Sequence, residues 1–150
     1  MQLAVIEFAR NVCNLEKAHS TEIDEKTPSP VIDILEEQKE ILHKSRYGAS
    51  MRLGAYPAKL KENTKIWELY NKQEEVSERH RHRYEVNPKF ISQLEEKGLV
   101  FSGASPDRKL MEFLELPDHK FFCATQSHPE FKSRFGKPAP LFFGFIKAMV

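Results

Sequence analysis

Only two cysteines, Cys13 and Cys123, occur in 150 residues. No disulfide framework can staple the chain, and a reducing, intracellular compartment, the cytoplasm, is the expectation. Charge of one sign is lacking too: 23 Lys and Arg stand against 22 Asp and Glu, a net of +1. A nucleic-acid binder usually carries a basic surplus, so no nucleic-acid partner is expected. No apolar run approaches the roughly 20 residues that span a bilayer, which leaves no membrane partner either. Glu7 and Arg10 interrupt the first apolar stretch, so it does not read as a signal peptide. Internal repeats and low-complexity tracts are missing. Bulky core material is present: 11 Phe and four Tyr beside one Trp. The chain reads as one domain with a real core and not as a disordered tail.

Periodicity gives a mixed series of elements. Gln2 to Leu15 reads as a helix whose polar stripe is Glu7, Arg10, Asn11 and Asn14; Leu3, Val5, Ile6, Phe8, Ala9, Val12 and Cys13 cover the rest, which predicts a largely buried element. Lys17 to Pro30 reads as a loop and Val31 to Lys44 as a weak helix. Short strands are expected at Met51 to Gly54 and Ala58 to Lys61, then a helix from Lys65 to Tyr70 capped by Thr64. Glu75 to Val86 reads as a strand, and Pro88 to Lys97 as a helix ended by Gly98. Strands at Leu99 to Ser102, Leu110 to Leu116 and Phe121 to Thr125 follow, separated by turns at Ser105-Pro106-Asp107 and Pro117-Asp118. Leu141 to Met149 closes as an aromatic-rich helix. The mixture suggests α/β with an antiparallel appendage.

Three clusters carry potential chemistry. His128 and Glu130 stand two residues apart around Pro129, just after an apolar strand. On extended chain they point the same way, so Glu130 can hold one imidazole nitrogen and leave the other to move protons. A surface turn with a chance pairing is the alternative. The Arg79-to-Tyr84 segment alternates strictly, which places Arg79, Arg81, Arg83 and Glu85 on one face of a strand, and His80, His82, Tyr84 and Val86 on the other. Such a row could grip a carboxylate or phosphate, join a metal site through the histidines, or form a nucleic-acid stripe. Cys13 and Cys123 lie in apolar helix and strand settings and read as inert core residues, since an activated thiol needs an electropositive, accessible place. The base therefore has no evident nucleophile within the chain.

Met1-Gln2, Ser20-Thr21-Glu22, Met51-Arg52-Leu53-Gly54, Glu78 to Asn87 and His128-Pro129-Glu130-Phe131 occur in this order. With them the chain resembles the CTP synthases, over the later part of their C-terminal class I glutamine amidotransferase domain and across essentially all 150 residues. His-Pro-Glu is shared by many class I amidotransferases; the arginine-histidine segment and Met-Arg-Leu-Gly look specific to the CTP synthases. The resemblance implies a flavodoxin-like α/β fold, with a mainly parallel sheet and a small antiparallel appendage. It also implies an enzyme that makes CTP from UTP with ammonia from glutamine, using ATP and Mg2+ in an N-terminal amidoligase domain. GTP would activate it, and the parent would be a homotetramer.

Carried over by motif, His128 would be the general base and acid and Glu130 its orienting partner. Arg83 would hold the α-carboxylate of L-glutamine, Glu22 its α-ammonium, and Gln2 would line the same pocket. No cofactor or metal is assigned to these residues themselves. In the family the nucleophile is the cysteine of a Gly-x-Cys-Leu-Gly-Met-Gln elbow, and this chain starts at the Met-Gln. The expectation is a fragment of the enzyme, lacking the amidoligase domain and the N-terminal part of the glutaminase domain, and inactive alone. A non-catalytic remnant that binds a partner is the alternative. Ser127, where an aromatic residue is usual, and Gly48-Ala49-Ser50, where paired glycines are common, are smaller departures.

Overall fold

A computed structural model describes residues 1–34 and 51–150. The chain divides into two compact units, Met1–Leu53 with Arg81–Lys97, and Gly54–His80 with Gly98–Val150. Among the described residues no helix is long and apolar enough to cross a membrane.

The first unit is built on helix α1 (Gln2–Asn11) and a three-stranded sheet of β1 (Ala18–Ser20), β2 (Ser29–Asp33) and β5 (Glu85–Val86). β1 and β2 run parallel, with Ala18 opposite Ser29, whereas β2 and β5 run antiparallel, with Ile32 opposite Val86. α1 buries Val5, Ile6, Phe8 and Ala9, and Ala18, Val31, Ile32 and Val86 are buried in the strands. Its other side is more open than the sequence predicts: Leu3 is 73% exposed and Val12 41%. The helix also stops at Asn11, where Arg10 Nε reaches back to the Ala18 carbonyl at 2.7 Å. Helix α3 (Pro88–Glu96) starts as expected, with Asn87 accepting from the Lys89 amide at 3.1 Å and Pro88 in the first turn. Gly98, at φ +98°, takes the left-handed position just after it.

Two expectations change here. The polar stretch 17–30, read as a loop, contains β1 and the start of β2, and Val31, read as the start of a helix, lies in β2. Residues 35–44 of that expected helix lie outside the described residues, as do Gly48, Ala49 and Ser50.

The second unit holds most of a five-stranded sheet in the order β4-β3-β6-β7-β8. The strands are β3 (Arg52–Leu60), β4 (Glu75–His82), β6 (Val100–Ala104), β7 (Met111–Glu115) and β8 (Cys123–Thr125). The pairs β3/β6, β6/β7 and β7/β8 are antiparallel. The sheets are thus mixed and not mainly parallel among the described residues. Turns as tight as Ser105 to Leu110 permit only antiparallel neighbours, because a parallel pair needs a crossover connection. In that turn the Ser105 amide donates to the Leu110 carbonyl at 2.9 Å, while Asp107 Oδ1 accepts from the Lys109 amide at 3.2 Å.

Helix α2 (Lys65–Leu69) is capped twice. Thr64 Oγ1 accepts from the Trp67 amide at 3.2 Å, and the buried Glu115 carboxylate accepts from the amides of Lys65 and Ile66 at 2.9 and 3.0 Å. Ala58, Leu60, Ile66, Tyr70, Val76, Phe113 and Leu141 form the core of this unit. Helix α4 (Pro140–Met149) buries Leu141 and Gly144 and leaves Phe142, Phe143, Phe145, Ile146 and Met149 exposed.

Gly103 on β6 sits directly opposite Phe113 on β7. A methyl group there would lie 2.6 Å from Phe113 Cδ2 and 3.0 Å from Leu60 Cδ2. Phe113 is held in place by burial and by an edge contact to Tyr70 with ring centroids 5.6 Å apart, so it cannot swing aside. Gly103→Ala is expected to destabilise this unit by about 1–3 kcal/mol, the usual range for overpacking, measured by denaturant unfolding.

Candidate active site

His128 is placed by backbone bonds on both sides. β8 ends at Thr125, whose Oγ1 accepts from the Ser127 amide at 3.0 Å, and the buried Gln126 amide donates to the Glu112 carbonyl at 2.9 Å. The His128 amide then donates to the Arg79 carbonyl of β4 at 2.8 Å. Pro129 opens a 3-10 turn, Pro129–Phe131, for which His128 is the capping residue with its backbone outside the helical region. Lys132 Nζ reaches the Ser77 carbonyl at 2.5 Å, so the far end of the turn is also tied to β4.

On this turn His128 Nδ1 lies 2.6 Å from Glu130 Oε1. The ring stacks on Phe131, with centroids 5.2 Å apart and 26° between planes. The His128 side chain is 37% exposed and that of Glu130 53%, so the pair opens to solvent. With Nδ1 engaged by a carboxylate, Nε2 is the nitrogen left for proton transfer. Slight burial raises the Glu130 carboxyl, but its bonds to His128 and to its own backbone amide, with the His128 charge, outweigh this and hold it below its ordinary value. Because the folded value is depressed, the pairing is intact above the usual carboxylate range and is lost as pH falls through the lowered value.

The other candidates lie in the first unit. Arg83 is half-buried on a bend between β4 and β5. The strand read from Glu75 to Val86, and the strict alternation read from Arg79, therefore stop at His82: Arg79 and Arg81 are exposed along β4, Arg83 leaves the strand, and Glu85 is fully buried. Past the bend, Glu85 accepts from Arg52 Nη1 at 3.2 Å and lies 2.8 Å from His82 Nε2. Gln2 Nε2 donates to the carbonyl of Tyr84, next to Arg83, at 2.9 Å. Glu22 stands exposed on the turn after β1, its amide donating to Ser20 Oγ at 3.2 Å. His80 lies 3.6 Å from Glu112 inside the second unit, and among the described residues no group of three His, Cys, Asp or Glu could hold a metal ion. Sequence reasoning missed the role of Arg52; its only signal was its place in Met51-Arg52-Leu53-Gly54.

Neither cysteine is activated. Burial raises the Cys13 thiol, against an opposing pull from Lys97. Burial, then the Glu115 carboxylate, push the Cys123 thiol up to about 12, against Lys65.

The glutamine amidotransferase class-I family profile matches residues 1–148. The chain belongs to this family. Among curated relatives, the CTP synthase of Methanocaldococcus jannaschii is 60% identical over 99% of this chain and 27% of its own length. That of Bacillus subtilis is 57% identical over 100% of this chain and 27% of its own length. The chain thus spans about a quarter of the length of these relatives. The solved structure of the Trypanosoma brucei CTPS glutaminase domain with bound acivicin matches with a TM-score of 0.90 at 35% identity, covering 99% of this chain and 56% of that one. The fold is therefore that of the amidotransferase family, and these residues align with about half of that solved glutaminase domain.

Thiol reactivity follows the thiolate fraction. At pH 8, iodoacetamide is expected to label Cys123 at least roughly a hundredfold more slowly than free cysteine; labelling at the free-thiol rate, followed by mass spectrometry, would show an activated sulfur that the structure does not contain.

Proposed function

We propose that residues 1–150 are the C-terminal part of the glutaminase domain of a CTP synthase, and that His128 moves the protons of glutamine hydrolysis. The observation that supports this reading most is the 2.6 Å bond from Glu130 to His128 Nδ1, which presents Nε2 from a turn fastened to β4. The mainly parallel, flavodoxin-like sheet is proposed for the whole domain, of which the antiparallel strands β6 to β8 would be the appendage.

In the proposed reaction, His128 Nε2 takes the proton of a cysteine thiol as the sulfur attacks the side-chain amide carbon of glutamine. The resulting imidazolium gives that proton to the leaving nitrogen, which departs as ammonia and leaves a thioester. Water then attacks the thioester while His128 takes its proton, and return of the proton to sulfur frees glutamate and the thiol. Glu130 keeps the ring oriented and favours the imidazolium throughout. The thiol itself would be that of the Gly-x-Cys-Leu-Gly-Met-Gln elbow, outside these 150 residues, because the settings of Cys13 and Cys123 favour the protonated form. Arg83 would pair with the α-carboxylate through its planar fork and Glu22 with the α-ammonium, while Gln2 lines the pocket.

On the same reading, the ammonia aminates UTP in the amidoligase part of the full-length protein, with ATP and Mg2+ there and GTP as activator. The full-length protein would be a cytoplasmic homotetramer, with neither nucleic acid nor membrane as a partner.

Two measurements test this. In the full-length protein, His128→Ala is expected to lower glutamine-dependent CTP formation by 10² to 10⁴-fold, the range for loss of a general base, and to spare the reaction driven by added ammonia. The 150-residue chain alone should release no ammonia from glutamine. Release that survives Cys13→Ser and Cys123→Ser but vanishes with His128→Ala would contradict the assignment of the thiol. Retained glutamine-dependent activity in full-length His128→Ala would show that another group moves these protons, and a full-length protein that uses added ammonia but not glutamine would favour a non-catalytic binding module.

A further inference from the structure

The bend that carries Arg83 is closed by a buried cluster of charge. His82, at the end of β4, and Glu85, at the start of β5, are joined across it by the 2.8 Å contact between Nε2 and Oε1. Arg52 Nη1 reaches the same carboxylate oxygen at 3.2 Å and lies 3.4 Å from His82 Nε2. The side chains of Arg52, His82 and Glu85 are only 10%, 8% and 0% exposed. A fully buried carboxylate is costly unless cationic or hydrogen-bonding partners meet it, and here two neighbouring groups do so. Beyond the bend, Glu85 and Val86 are fixed in register on β2, opposite Asp33 and Ile32, and the Asn87 amide donates to the Val31 carbonyl at 2.9 Å. Inside the bend, the Tyr84 carbonyl is held by Gln2. Both shoulders and the span between them are therefore tied, and Arg83 is the residue they carry.

We propose that Arg52, His82 and Glu85 act as a clasp that positions the Arg83 guanidinium for the α-carboxylate of glutamine. They are positioning residues: none needs to touch substrate, and each acts through the path of the chain at residue 83. The clasp rests on the proposed pairing of Arg83 with that carboxylate. It also gives a physical reason for the joint occurrence of Met51-Arg52-Leu53-Gly54 and the Glu78 to Asn87 segment. One supplies the cation that the buried carboxylate of the other requires.

The test is steady-state kinetics of the full-length protein carrying Arg83→Met, His82→Gln, Arg52→Met or Arg52→Lys, with glutamine and separately with ammonia as nitrogen source. His82→Gln and Arg52→Met are expected to raise the glutamine KM roughly ten- to hundredfold, the scale on which a misplaced binding group is felt. The effect should fall on KM and not on kcat, and ammonia-driven synthesis should be retained. Arg52→Lys, which keeps the cation, should recover part of the loss. A raised KM in Arg83→Met with an unchanged KM in both clasp variants would overturn the clasp alone. An unchanged KM in Arg83→Met would overturn the role of Arg83 and, with it, the clasp. Loss of ammonia-driven synthesis in all clasp variants, Arg52→Lys included, would make the cluster a folding element and overturn its positioning role.

Discussion

The bond between His128 Nδ1 and Glu130 is the contact on which the proposed proton transfer depends, because it holds one ring nitrogen and leaves Nε2 as the other. Its two partners are separated by a single proline, yet local sequence alone would not keep them in place on an open surface. The turn is held from outside, by the Arg79 carbonyl at the His128 amide and by the Ser77 carbonyl at Lys132. Strand β4 therefore serves as the rail on which the turn is mounted. That arrangement suits a group that must keep one orientation while remaining accessible to a substrate.

Buried carboxylates are the second theme. β7 is buried along its whole length although two of its five residues are glutamates. Each has found an internal use: Glu115 satisfies the first amides of α2, and Glu112 meets His80. Glu85 in the other unit does the same for Arg52 and His82. Such groups are tolerated inside a protein only when donors or cations are supplied, so each marks a place where distant segments are tied together. They fix geometry, a role distinct from adding net stability.

Local signals made much of the second unit legible. Thr64 announced α2 and Ser105-Pro106-Asp107 separated β6 from β7 there, while Pro88 and Gly98 bounded α3 in the first unit, because capping and turn chemistry act within a few residues. β1 and β2 were not legible: Ala18-His19-Ser20 and Ser29-Pro30 lack strand character, and their pairing with each other and with β5 is non-local. The alternation read from Arg79 misled beyond His82 for the same reason. Nothing local to Arg83 signals the bend, whose flanking His82 and Glu85 both lie beside Arg52, some thirty positions earlier. At the candidate site, His128 and Glu130 were readable as a pair, and the inert settings of the two cysteines as well. The fastening of the turn to β4 and the stacking of His128 on Phe131 were not, since neither leaves a pattern in the sequence.

The most direct test of the His128–Glu130 pairing is glutamine turnover by the full-length protein with Glu130→Gln, which keeps the shape of the side chain and removes its charge. If the carboxylate orients His128 and stabilises its protonated form during turnover, kcat for glutamine falls by one to several orders of magnitude while the glutamine KM and the ammonia-driven reaction hold. An unchanged kcat would show that the pair plays no part in proton transfer and would contradict the role assigned to it.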